Sequence, residues 1–153
     1  MIIEVCGYEV QVTAEDEPIL RRLSPRVMLD SRFHPRAVIP MMQLSHFVIG
    51  HPGKGYVVDH INGDPLDNRR SNLQVISQAQ NGMKCARGKT PRVCFYKGGF
   101  QAQVSKRSRK SFKTYPEAGR AADAFARTVG IKGMPMNFPD VGEYDADGCE
   151  RLS

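Results

Sequence analysis

Residues 86–91, Ala-Arg-Gly-Lys-Thr-Pro, are small, basic and helix-breaking, and they separate two stretches whose apolar patterns differ. A chain of 153 residues divided at this point is expected to fold as two very small domains, each with its own modest core. The boundaries that follow are a first domain over 1–86, a linker over 87–91, a second domain over 92–139 and an acidic tail over 140–153.

In the first domain, residues 2–12 alternate around Gly7 and predict a short hairpin. Residues 14–24 open with acids and continue Pro18-Ile-Leu-Arg-Arg-Leu, which predicts a short helix with its acids at the positive end of the dipole. The most apolar stretch, residues 38–49, has Pro40 early and Gly50 after it and is expected to form a buried helix. Gly55-Tyr-Val-Val-Asp-His-Ile is β-branched and aromatic, and the run from Asn62 to Asn72 is dense in turn formers. Leu73 to Ser77 restores alternation as a second strand, and Gln78 to Cys85 suits a short helix. The local order is therefore strand, loop, strand, helix.

In the second domain, three alternating runs at 92–96, 100–105 and 110–115 predict three antiparallel strands. From Pro116, alanines at helical spacing run to Gly130 and predict a helix that lies close across the sheet. Alternation turns Phe100, Ala102 and Val104 toward that helix and leaves Gln101, Gln103 and Ser105 on the outer face. The acidic tail is expected to fray.

Charge narrows the partner. The net formal charge is +6, and residues 68–116 hold 12 of the 22 Lys and Arg with no Asp or Glu, whereas residues 140–150 hold five acids and no base. Such a one-sided block reads as a footprint for phosphate. Cys6, Cys85, Cys94 and Cys149 form no C-x-x-C pair, so zinc-knuckle and redox motifs are not indicated and reduced thiols are expected. The N-terminus lacks a signal-peptide pattern, and no apolar run approaches the roughly 18 residues of a membrane span. A soluble, cytoplasmic protein is expected.

The string from Val58 through Asp59-His60-Ile-Asn-Gly-Asp-Pro-Leu-Asp-Asn-Arg-Arg-Ser-Asn72 to Leu73, followed by Gln80-Asn81, resembles the HNH endonuclease family. It is similar above all to the phage and intron homing type whose third motif residue is Asn. The resemblance implies a ββα-metal (His-Me finger) unit that hydrolyses DNA phosphodiester bonds. His60 would be the general base, Asn72 the group that orients its imidazole, and Asp59 and Asn81 the ligands of one divalent metal per active site. One carboxylate and one amide oxygen make a hard, incomplete shell that suits Mg²⁺ or Mn²⁺. Asp64, Asp67 and Asn68 read as loop-bracing residues. His46 resembles the family's upstream His-containing segment but is assigned no catalytic role, and His34 and His51 carry no pattern.

Val93-Cys-Phe, Gly99 to Val104, Phe112 to Phe125 and Asn137-Phe-Pro resemble the AP2 DNA-binding domain, with Phe95 and Phe100 where Trp is frequent and Lys113 where Gly is usual. The fold class expected overall is α+β, the ββα unit being followed by a three-stranded antiparallel sheet packed on one helix. Gln101 and Gln103 would read bases, and Arg92, Lys97, Lys106, Arg107, Arg109 and Lys110 would reach phosphate or guanine. Arg69, Arg70, Lys84, Arg87 and Lys89 would extend the contact toward the cut site. The partner is then double-stranded DNA, with no membrane, no small-molecule cofactor, and a monomer favoured. If the chain is phage-encoded, its compartment is the bacterial host cytoplasm. A DNA-binding regulator that keeps the HNH segment only as scaffold is the alternative, and retention of Asp59, His60, Asn72 and Asn81 together argues against it.

Overall fold

The computed structural model describes residues 1–40, 42–84 and 90–153, and these form two compact units, Met1–Gln78 and Ala79–Ser153. Both are built from small antiparallel sheets, with four α-helices among the described residues. The calls on Cys85, Arg87 and Lys89, with linker residues 87–89, lie outside the described residues.

The first unit opens with the hairpin β1 (Ile2–Val5) and β2 (Tyr8–Gln11), paired Val5 to Tyr8 across a tight turn. Cys6 and Gly7 take φ of 52° and 81°, the two positive values that a two-residue hairpin turn needs to match strand twist. Helix α1 (Glu17–Arg22) is shorter than expected; Glu17 stands in its first turn and bonds Arg21. The strands β3 (Arg26–Leu29), β4 (Pro35–Ile39) and β5 (Met42–Gln43) form one sheet, and α2 (Leu44–Ile49) follows at once.

The expected helix over 38–49 is thus half strand. Val38 and Ile39 are β-branched and pair with neighbouring strands, and Pro40, which has no N–H to donate, stands just past the end of β4. Only from Leu44 does the helix begin. Strands β6 (Tyr56–His60) and β7 (Leu73–Ser77) pair from Tyr56–Ser77 to His60–Leu73, and a 3₁₀ turn over Arg70–Asn72 leads into β7. The core gathers Val10, Val12, Leu20, Ile39, Leu44 and Leu73, so the N-terminal hairpin, α1, the meander and the β6–β7 pair share one apolar interior.

Helix α3 (Gln78–Lys84) follows β7 directly. In the second unit β8 (Val93–Tyr96), β9 (Gly99–Gln103) and β10 (Arg109–Phe112) form a sheet with β9 in the middle. Helix α4 (Tyr115–Val129) carries a capping box between Thr114 and Glu117, has Pro116 in its first turn, and stops at Gly130, whose φ of 70° is left-handed. Ala118 and Ala122 are fully buried with Ala102 and Val93, and Phe100 packs at the edge of that cluster. A second small cluster joins Ala126, Met134 and Met136, with Met83 against it.

The tail does not fray. Arg127 binds Glu143 and Asp140 at 2.8 and 3.1 Å, the Met136 N–H donates to the Tyr144 carbonyl at 2.8 Å, and the Gly142 N–H donates to the Arg151 carbonyl at 2.7 Å. The acidic segment is held by a helix cation and by local turns. Among the described residues no helix is long and apolar enough to cross a membrane.

Candidate functional site

Asp59 and His60 are the last two residues of β6, where the strand gives way to the turn-rich loop and both side chains are half-buried. Asp59 Oδ2 accepts a 2.8 Å hydrogen bond from Gln74 Nε2, its cross-strand partner on β7. His60 Nε2 lies 3.3 Å from Asn68 Oδ1. The Asn68 amide is oriented by its own donation from Nδ2 to the Pro65 carbonyl at 3.3 Å, so its oxygen faces the ring. A neutral His60 that donates from Nε2 to this oxygen keeps its lone pair on Nδ1. Burial pushes the His60 pKa below its usual value, against the opposing pull of Asn68 and the Asp59 charge, and the Arg36 charge lowers it further.

Asn72 is buried and used locally. Its Nδ2 donates to Asn62 Oδ1 and to the Asp67 carbonyl, both at 2.9 Å, and its Oδ1 accepts from the Asn62 N–H at 3.1 Å. These bonds tie the two ends of the 61–72 loop, and Asn68 is a side chain whose oxygen lies 3.3 Å from the imidazole. Asp67 is fully buried and accepts from Arg69 Nε at 2.8 Å, Arg69 Nη2 at 2.6 Å and Asn62 Nδ2 at 2.9 Å. Burial works to raise the Asp67 carboxyl, but the Arg69 bonds and charge outweigh it and leave it below the usual range.

The loop is also held from the far end of the sequence. The Gln11 N–H donates to the Leu66 carbonyl at 2.8 Å and the Asn68 N–H to the Gln11 carbonyl at 2.7 Å, so β2 runs parallel to the loop for two bonds. The Arg70 N–H donates to Thr13 Oγ1 at 3.0 Å, and its guanidinium grips Asp16 at 3.0 and 2.6 Å. Nothing local in residues 1–16 signals this buttress, because its partners lie more than fifty positions away.

The proposed cations differ in what the fold makes of them. Arg69 and Arg70 remain about half exposed but are committed to Asp67 and Asp16. Lys84 and Asn81 lie on α3, which falls mainly in the second unit. In the second unit Lys97, Lys106, Arg107, Arg109 and Lys110 are exposed, as is Lys113. Arg92 is not a surface group: its side chain is 1 % exposed, within 3.9 Å of Asp123 and donating to the Pro135 carbonyl. It therefore leaves the DNA-contact set, since a guanidinium enclosed by protein cannot reach a phosphate. Burial holds its proton affinity below the usual value in spite of Asp123.

Gln101 and Gln103 are two apart on the central strand, opposite Ser111 and Arg109 of β10, and Cys94 of β8 lies across from Gln101. They share one face while Ala102 and Phe100 pack with α4 on the other. Val104, expected to face the helix, comes after the end of β9. Cys6, Cys94 and Cys149 are free thiols, as expected of them. His46 sits beside His51 with ring centroids 5.5 Å apart, and burial followed by the His51 charge lowers its pKa.

Among the described residues no three His, Cys, Asp or Glu side chains are grouped to hold a metal ion. Asp59 brings one carboxylate, held by the neutral amide of Gln74. Residues 49–83, which span the β6–β7 pair, its loop and most of α3, match the family model for HNH endonuclease. No curated protein and no solved structure matches the chain.

Proposed function

We propose, from the match of residues 49–83 to the HNH endonuclease family model, that this chain is a metal-dependent DNA endonuclease of the homing type that cuts at preferred sites. The observation that carries the proposal is His60 at the end of β6, partly desolvated, with Nε2 3.3 Å from Asn68 Oδ1, a contact that in the Nε2–H tautomer leaves the lone pair on Nδ1. A neutral imidazole in that tautomer can take the proton of an attacking water. Mg²⁺ or Mn²⁺ bound at the site would offset charge on the scissile phosphate and leaving oxygen. Asp59, steadied by Gln74, would supply the carboxylate ligand, and the resemblance to the HNH family implies Asn81 as the second. Asn72 supports the base by closing the loop that carries Asn68.

The second unit is the DNA grip, of AP2 type on its motifs. Gln101 and Gln103 read base edges from the outer sheet face, and Lys97, Lys106, Arg107, Arg109 and Lys110 meet phosphates. Supercoiled plasmid incubated with protein and Mg²⁺ should be nicked or linearised, and excess chelator should stop it. Plasmid left intact under all divalent metals would return the chain to a non-catalytic DNA-binding role.

A further inference from the structure

The hairpin of β3 and β4 exposes apolar side chains that no core accounts for. Phe33 is 81 % exposed, Met28 60 % and Leu29 53 %, all at one end of the hairpin. Phe33 also takes a φ of 62°, a region that favours Gly or Asn and is unfavourable for a bulky residue. The turn that imposes this is well bonded. Asp30 Oδ1 accepts from the Arg32 and His34 N–H groups at 2.8 and 3.1 Å, the Asp30 N–H donates to the His34 carbonyl at 2.9 Å, and the Phe33 N–H donates to the Asp30 carbonyl at 2.9 Å. The backbone bonds from Arg32 and His34, with Arg36 beside them, hold the Asp30 carboxyl below its usual range, so it stays ionised and keeps the turn closed. An ordered turn therefore presents an aromatic ring to water at a conformational cost, which points to a use for the ring.

The surroundings say what would cover it. Arg26 on β3 and Arg32 in the turn are exposed. Arg36 faces Met28 across the hairpin, binds Asp30 at 3.2 Å, and is near enough to His60 for its charge to act on that ring. The one acid of the segment is consumed internally, so the outward charge is positive. Phe33 stands three residues before Arg36, so the exposed tip and that cation belong to the same hairpin end.

We propose that the β3–β4 hairpin is a DNA-contact element of the nuclease unit: its apolar tip, led by Phe33, enters a groove of the duplex as a wedge between base steps, and Arg26 and Arg32 meet the flanking phosphates. The inference rests on the endonuclease reading for its choice of duplex DNA. Apolar wedges of this kind unstack a step and bend the duplex, which would expose the backbone to the catalytic groups.

The test uses the full chain and needs no knowledge of a target site. Plasmid is relaxed by a metal-independent topoisomerase with the protein present and chelator added, and the change in linking number is read after deproteinisation. Affinity for random-sequence duplex is measured beside it. Phe33→Asn suits the left-handed backbone and should keep the melting temperature, while Met28→Ser checks the apolar tip from the strand. Wild-type protein should unwind the plasmid; Phe33→Asn should remove most of that unwinding and weaken affinity by about tenfold. Wild-type unwinding, affinity and cleavage retained in both variants would overturn the wedge and leave the nuclease reading standing. Unwinding that depends on Phe33 in a protein that never cleaves would do the reverse. A dimer in sedimentation that Phe33→Asn dissociates, with DNA affinity unchanged, would also overturn it, since the tip would then serve a second copy of the chain.

Discussion

Two adjacent residues, Asp59 and His60, carry most of the chemistry, and their environments separate their roles. Asp59 is held by a neutral amide, whereas His60 is pressed by burial toward its neutral form. Replacing His60 with Ala should slow cleavage by roughly 10²- to 10⁴-fold with DNA affinity nearly unchanged, because a base acts only on the reacting water. Single-turnover rates and a binding isotherm on the same variant check it. The pH dependence follows from the direction of the shift. With the folded pKa below the usual value of about 6.5, the base form persists to lower pH, so the acid limb of cleavage should fall below that value. Stability has the corresponding sign: below pH 6.5 or so the unfolded chain binds the proton first, and acid removes stability there until the folded histidine also titrates. Asn68→Asp would set a carboxylate on Nε2–H and favour the imidazolium, so the acid limb should move to higher pH. A limb that stays in place would show that Asn68 does not govern the base.

At the scale of elements, the loop between β6 and β7 is stabilised less by its own turns than by a buried carboxylate and a borrowed strand edge. Asp67→Ala removes the acceptor of Arg69 and Asn62 at a fully buried position and should cost about 1–3 kcal/mol. Cleavage should fall by more than that loss of folded protein explains, since Asn68 is its neighbour; chemical denaturation alongside activity at low temperature separates the two. Helix α4 offers a test against propensity. Gly119→Ala would normally favour a helix by about 1 kcal/mol. Here the added methyl would stand 2.6 Å from a ring carbon of Phe138 and 3.2 Å from Asn137 Cβ. The ring must move off Tyr115 and Arg120, which lie 5.7 Å from it. The substitution should therefore destabilise, by about 1–2 kcal/mol, in a thermal melt. An unchanged or higher melting temperature would mean that the 137–138 segment is not seated on the helix as described, even though Asp123 accepts from the Asn137 and Phe138 N–H groups at 2.9 and 2.8 Å.

For the whole molecule, the two compact units divide the work that the proposal requires. A fragment of residues 79–153 holds one complete sheet, α4 and the ordered acidic segment, together with the exposed cations from Lys97 to Lys113. It should bind DNA without cutting it. If about five of those cations each neutralise a phosphate, log affinity should fall with log salt at a slope of roughly −4 to −5. Replacing Lys106 and Arg107 should flatten that slope for every sequence alike, whereas replacing Gln101 and Gln103 should weaken preferred sequences more than random ones. Affinity that ignores salt would remove this unit from the DNA-binding role.

What local pattern decides was legible. The β6–β7 pair, α3 and α4 follow from β-branched runs, turn formers and helix caps that act within a few residues, and Asp59-His60 stands out because its neighbours repeat a dense motif. What depends on partners far along the chain was not. Whether Val38 is strand or helix was decided by its pairing with β3 twelve residues back, and the acidic tail was ordered by Arg127. Arg92 reads as one more surface cation until the fold encloses it beside Asp123, and Asn68 reads as a turn residue until the loop brings its oxygen to His60. Period and propensity are written into neighbouring residues, but burial and hydrogen-bond partnership arise only when distant segments share a core, and it is these that set which charges face solvent and which side chain meets the imidazole.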